Sequence, residues 1–365
     1  MKAFSYNPNR FRHADIRELD TWLALYRLIN PNVSFIDRTG CIRLPVKTAV
    51  PAHLTMPKYD PDFNIGYEDC CQQQVIALLQ AQDKLDKPLR ILYSGGIDSS
   101  LIVVSFIKQL GMKETEKRIQ LVMSWDSIEE NPWLWEKVLR NSRINIVPGE
   151  LHDSDWDRDR ILVGGEFNDQ LMGSDIYKDL VRWRGNKILK TRWRPSLINE
   201  YCLHKGMDKV QSDTWTAVLS KQCQQAPVPV ESFADFWWWI NFSCKWNAVY
   251  FRLLMHVRNH DIIDQGYLEK YYCQFYGNES FQKWSMVDRT HKHQDTWLSY
   301  KWYAKRLICN FLGDDTFMNK VKRGSLWTLL SYKHPSAMID DQYGFHQDVD
   351  IAAVYDQENF INHVE

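Results

Sequence analysis

The stretch 90–110 constrains this chain most. Arg90-Ile91-Leu92-Tyr93 is a short apolar run, Ser94-Gly95-Gly96-Ile97-Asp98-Ser99-Ser100 follows it, and an apolar run over 101–110 closes at Gly111. That order reads as strand, glycine loop, helix. Open α/β sheets bind ligands at such junctions, at the carboxyl ends of their strands. Two adjacent glycines let successive N–H groups turn toward one anion, and the helix N-terminus adds its dipole to that field. Ser94, Ser99 and Ser100 supply hydroxyl donors. Asp98 would repel a phosphate it touched, so its natural task is to hold Mg²⁺ on the phosphates. Neither G-x-x-x-x-G-K-[ST] nor G-x-G-x-x-G occurs, which excludes a Walker loop and a dinucleotide fingerprint. The competing reading is a plain helix-capping turn, where Gly, Ser and Asp are common.

The flanking segments continue the alternation. Val75, Ile76, Leu78 and Leu79 recur among glutamines over 67–85, which suits a helix that stops before Lys87-Pro88. Residues 118–124 read as a strand, Asn131-Pro132 as the N-cap and first residue of a helix to about 141, and 144–147 as a third strand. A fourth, 160–163, runs into Gly164-Gly165-Glu166-Phe167-Asn168-Asp169. Strands alternating with helices imply a parallel sheet with right-handed crossovers. Earlier, residues 33–46 read as a hairpin broken at Thr39-Gly40. Beyond about Gly185 strand signals vanish, and the aromatic runs 233–257 and 296–312 read as helices. The expected division is an N-terminal segment 1–86 with hairpin and helix, an α/β core 87–185, and a helical substrate lobe 186–365 packed on the core.

Composition removes several function classes. Lys and Arg number 45 against 46 Asp and Glu, so the chain is not a surface that grips nucleic acid throughout. The longest apolar runs, such as 236–240, are far short of a bilayer span, and the N-terminus has no apolar signal region, so a cytoplasmic protein without a membrane segment is expected. Eight cysteines with no C-x-x-C pair are expected as reduced, mostly buried thiols. His256 and His260 lack the glutamate of a zinc helix, and Trp237, Trp238, Trp239 and Trp246 suit a helical core better than a binding platform. The acidic stretch 152–159 reads as a solvated loop. One basic aromatic patch, from Lys178 to Arg194 with Trp183 and Trp193, has the makings of a single-stranded RNA surface, although a solvated helix face is the favoured reading.

S-G-G-x-D-S after a strand resembles the pyrophosphate loop of the ATP pyrophosphatases, a family that includes the asparagine synthetases. Residues 164–173 resemble the asparagine synthetase motif S-G-E-G-S-D-E-x-F-G-G, keeping Gly165, Glu166 and Asp169, with Gly164, Phe167, Asn168 and Gln170 as departures. Lys301 and Lys305 resemble the family's K-x-x-x-R helix with Lys for Arg, and Lys322 its later K-x-G turn.

The resemblance implies a doubly wound parallel sheet of the adenine nucleotide α-hydrolase-like type, with a C-terminal helical lobe. It also implies a ligase that uses ATP to adenylate a small-molecule carboxylate, releases pyrophosphate, and lets ammonia or an amine displace AMP. Ser94, Gly95, Gly96, Asp98, Ser99, Ser100, Gly165 and Lys322 would bind ATP and pyrophosphate, Asp98 and Asp169 would share Mg²⁺, and Glu166 and Lys301 would be catalytic. Lys2 stands where a glutaminase would carry its cysteine, so nitrogen is expected from free ammonia, a substrate amine or a separate glutaminase. The other expectations are an enzyme of the same superfamily that modifies nucleotides or tRNA, and a nucleotide-binding member without turnover.

Overall fold

The computed structural model describes residues 1–13, 19–29, 34–149, 156–254, 261–288, 290, 292, 300–319, 338–346 and 349–356. It is an α/β structure around a five-stranded, all-parallel sheet of β1 (Leu89–Leu92), β2 (Ile119–Met123), β3 (Asn145–Pro148), β4 (Ile161–Gly164) and β5 (Tyr272–Gln274) in the order β3-β2-β1-β4-β5. Leu89, Ile91, Leu121, Val122, Leu162 and Val163 are buried, as strands covered on both faces require. The chain moves outward from β1 to β3, then returns to lay β4 on the other side of β1. Strand order therefore reverses between β1 and β4, which puts a crevice at their carboxyl ends.

The helix Tyr67–Leu85 packs against Ile97–Leu110, and that helix against Trp302–Leu312. Asn131 caps the next helical segment through its side chain, with Pro132 in the first turn. Two short helices, Met112–Arg118 and Trp125–Glu130, were not apparent in the sequence.

The structure corrects three expectations. Strands do not end near Gly185: β5 joins the sheet beside β4, with Val163 opposite Cys273. Its three residues, Tyr-Cys-Gln, are too few and too mixed to carry a periodic signal. Among residues 34–46 there is no hairpin. Instead the N–H groups of Ile36 and Arg38 donate to Cys244 and Ser243 at the end of the helix Phe233–Cys244. The turn at Thr39 is closed by the Asp37 carboxylate, which accepts from the backbone of Thr39 and Ile42. Finally, the chain does not divide sequentially. One compact unit takes residues 1–59, 173–255 and 334–365, the other 60–172 and 256–333, so 186–365 is not a single lobe.

In the first unit Arg38 lies over the rings of Phe242 and Trp246, at 4.9 and 4.3 Å from their centroids, and donates to the Phe242 carbonyl. Burial pulls its guanidinium down to about 9. Trp237 and Trp239 are fully buried, which makes the aromatic run a core. All eight cysteines are free thiols, six of them buried. Among the described residues no helix is long and apolar enough to cross a membrane.

Candidate functional site

The first loop leaves β1 at Tyr93 and turns at Gly95, whose φ of +73° favours glycine. A side chain at Gly95 would also overlap the Ser127 carbonyl oxygen and approach Glu130 Cβ to 2.9 Å, because the helix Trp125–Glu130 lies against the loop. Gly96 then caps the helix Ile97–Leu110. The Ser94 N–H donates to Ser99 Oγ at 3.2 Å, and Ser99 Oγ donates to the Gly96 carbonyl at 3.3 Å. Ser100 was expected among the phosphate donors. It is fully buried, donating to the Gly95 carbonyl and accepting from Asn131 Nδ2, so it braces the loop from behind.

The second loop follows β4 and touches the first. A Cβ at Gly165 would sit 3.4 Å from both Asp98 Cβ and the Ser99 nitrogen, an ordinary van der Waals contact that shows how closely the two loops lie. The Glu166 N–H donates to Gln274 Oε1 of β5, which ties the loop to the neighbouring strand. Phe167 stands where the asparagine synthetase motif has Gly, and its φ of +79° is in the region that favours glycine. Its ring is buried and lies against Gly277.

Asp98 and Asp169 come together on one cation. Lys301 Nζ is 2.8 and 2.7 Å from the two oxygens of Asp98 and 2.7 Å from Asp169 Oδ1. Three ammonium donors thus meet three carboxylate oxygens. Lys301 is 3% exposed. Burial, the largest single influence, pulls its ammonium down, but the charges and hydrogen bonds of Asp169 and Asp98 together hold it above the ordinary lysine value. The expected position within a K-x-x-x-R helix is corrected: Lys301 precedes the helix Trp302–Leu312 as its N-cap, in a left-handed conformation of φ 57° and ψ 29°. Lys305, one turn on, is buried and donates to the Met318 carbonyl at 3.1 Å. Burial and the Lys301 charge bring it down to about 8.

Several residues around the pair were missed by the sequence reading. Asn168 Nδ2 donates to Asp98 Oδ1 at 2.7 Å, and its own oxygen accepts from Tyr67 at 2.8 Å, which fixes the amide. Tyr276 donates to the Asp98 carbonyl, and Tyr300 to Asp169 Oδ1. Asn168 and Tyr300 adjoin motif residues and were in view; Tyr67 and Tyr276 come from distant elements and gave no signal.

Among the described residues no group of three or more His, Cys, Asp and Glu side chains is arranged to hold a metal. Two carboxylates directed at one point fit the way Mg²⁺ is bound, through one or two carboxylates with waters and phosphates. Glu166 is buried in the second loop. Lys322, His256, His260 and residues 152–155 lie outside the described residues. Asp157 and Asp159, from the acidic stretch, pair with Arg160 and Lys87. In the basic patch Trp183 packs on Tyr201 and His204, Trp193 donates to the Val230 carbonyl, and Arg184 pairs with Glu200. No protein-family model matches this chain, and no curated protein matches it at a significant level.

Proposed function

We propose that this chain is an ATP-dependent, AMP-forming amide ligase that resembles the asparagine synthetases. The observation that carries the reading is the convergence of Asp98 and Asp169, from loops at adjacent strand ends, on Lys301 beside a double-glycine turn. Those loops lie where the strand order reverses, the place for a nucleotide in open α/β sheets.

A substrate carboxylate oxygen attacks the α-phosphorus of ATP, and the bond to the bridging oxygen of the β-phosphate breaks. The turn at Gly95 and Gly96 presents backbone donors to the departing pyrophosphate. Mg²⁺, when held by Asp98 and Asp169, supplies neutralising charge to the phosphate oxygens. Lys301, once drawn off the carboxylates, meets the negative charge developing on those oxygens. In the second half, ammonia or an amine attacks the acyl carbon and the bond to AMP breaks. Glu166 takes the proton that the nitrogen loses.

A second reading, nucleotide binding without turnover, draws on Lys301 occupying the carboxylate pair. A tRNA substrate draws less support, because the half-buried Trp183 and Trp193 are already engaged with neighbouring groups. The test is incubation with Mg²⁺ and ATP labelled at the α and γ positions, with ammonia and a panel of amino acids. AMP plus pyrophosphate is expected; ADP plus phosphate would remove the mechanism, and tight ATP binding without products would favour the second reading.

A further inference from the structure

We infer that Lys301 is a built-in counter-cation that bars free divalent ions from the Asp98–Asp169 pair and yields only when a nucleotide arrives. The inference rests on the ligase reading for the identity of that nucleotide, and it adds an order of events: metal enters with the phosphates, never ahead of them.

The carboxylates are set before any ligand binds. Asn168, locked by Tyr67, holds Asp98 Oδ1, and Tyr300 holds Asp169 Oδ1. They therefore face one point whichever cation occupies it. That point is filled by an ammonium that is 2.7 Å from Asp98 Oδ2 and 2.7 Å from Asp169 Oδ1. An ammonium and a divalent ion cannot share it, because like charges at contact distance repel strongly in a partly buried site. A free metal ion would have to shed water and leave the Lys301 ammonium, in its buried position, without a counter-charge. A nucleotide changes the balance, since its phosphates offer the ammonium new oxygen partners. Movement is local: the Lys301 backbone is anchored by its N–H to the Lys292 carbonyl, and the four-carbon stem can swing from that anchor.

The test is Mn²⁺ binding to the full chain, read by the electron paramagnetic resonance of free Mn²⁺, with and without α,β-methylene-ATP. Wild type is expected to bind no Mn²⁺ alone and one ion per chain with the analogue. Lys301→Met is expected to bind one ion without nucleotide, at least ~100-fold more tightly than wild type, and to lose it when combined with Asp98→Asn. Lys301→Gln, which keeps neutral donors toward the carboxylates, serves if the Met variant does not fold. The inference is overturned if wild type alone binds Mn²⁺ as tightly as with the analogue, or if the folded variant gains nothing. The Mn²⁺ exchange combined with ADP formation would keep this inference and remove the ligase reading. AMP and pyrophosphate with no gain in the variant would do the reverse.

Discussion

Lys301 and Asp98, 203 positions apart in the chain, form an ion pair in which one ammonium reaches both carboxylate oxygens, at 2.8 and 2.7 Å. Lys301 also serves Asp169, so its removal leaves two like charges facing each other. Asp169 is 38% exposed, and water screens part of the cost. Lys301→Met should therefore lose about 2–3 kcal/mol, below the range for a fully buried pair. Urea unfolding measures it, and Mn²⁺ should restore part of the loss. Because the folded-state value of Lys301 is raised, its contribution is full below the ordinary 10.5 and disappears as pH rises through the raised value. The difference between wild type and variant should stay flat around neutral pH, where Lys305 keeps its proton in both, and the Lys301 contribution itself should disappear only in strong alkali.

Asp98→Asn keeps the shape and the bond from Asn168 but removes the charge. Pyrophosphate release should fall by on the order of 10³-fold, while the circular dichroism spectrum is unchanged. Near-wild-type release would remove Asp98 from the phosphate chemistry.

Phe167 holds a glycine-like φ with an aromatic side chain. Replacing it by Gly relieves about 1 kcal/mol of backbone strain and forfeits about 2–3 kcal/mol of ring burial against Gly277. The net expectation for Phe167→Gly is a loss of about 1–2 kcal/mol, and a gain in stability would mean that the ring is poorly packed.

The elements around the site show what a sequence can and cannot disclose. β1, its glycine turn and the helix after it were legible because local signals agree: an apolar run, two glycines, then a capped helix. The residues of the second loop were readable for the same reason. Three features depend on distant partners and left no local trace. β5 is a strand because β4 offers it an edge, the 34–46 segment pairs with a helix end, and Tyr67 acts through Asn168. Lys301 was legible as a residue but not in its task, since the carboxylates that hold it come from other elements.

Lys305 is a buried cation pulled down to about 8, first by burial and then by the Lys301 charge. Between pH 8 and 10.5 the unfolded chain keeps a proton that the folded chain releases, so stability rises with pH across that window. Below it the folded state carries a penalty of about 3 kcal/mol, from ~1.4 kcal/mol per pH unit. Lys305→Met removes this penalty and loses one hydrogen bond, worth about 1 kcal/mol, to the Met318 carbonyl. The variant should be more stable by about 1–2 kcal/mol at pH 7, with the gain fading toward pH 10. An identical difference at both pH values would show that Lys305 does not titrate in the window.

Gly95 and Gly313 make a matched pair, with φ of +73° and +62° and opposite surroundings. Nothing lies within 4 Å of a side chain added at Gly313, whereas one at Gly95 would overlap the Ser127 carbonyl oxygen. Gly313→Ala should cost about 1 kcal/mol, the price of the left-handed conformation alone. Gly95→Ala should cost about 2–4 kcal/mol, because either the turn or the helix Trp125–Glu130 must move. Displacing the turn misaligns the N–H groups assigned to pyrophosphate, so Gly95→Ala should also weaken α,β-methylene-ATP binding at least ~10-fold, whereas Gly313→Ala leaves it unchanged. Calorimetric titration of the two variants separates strain from function. Equal nucleotide affinities would mean that the turn at Gly95 shapes the fold without touching phosphate.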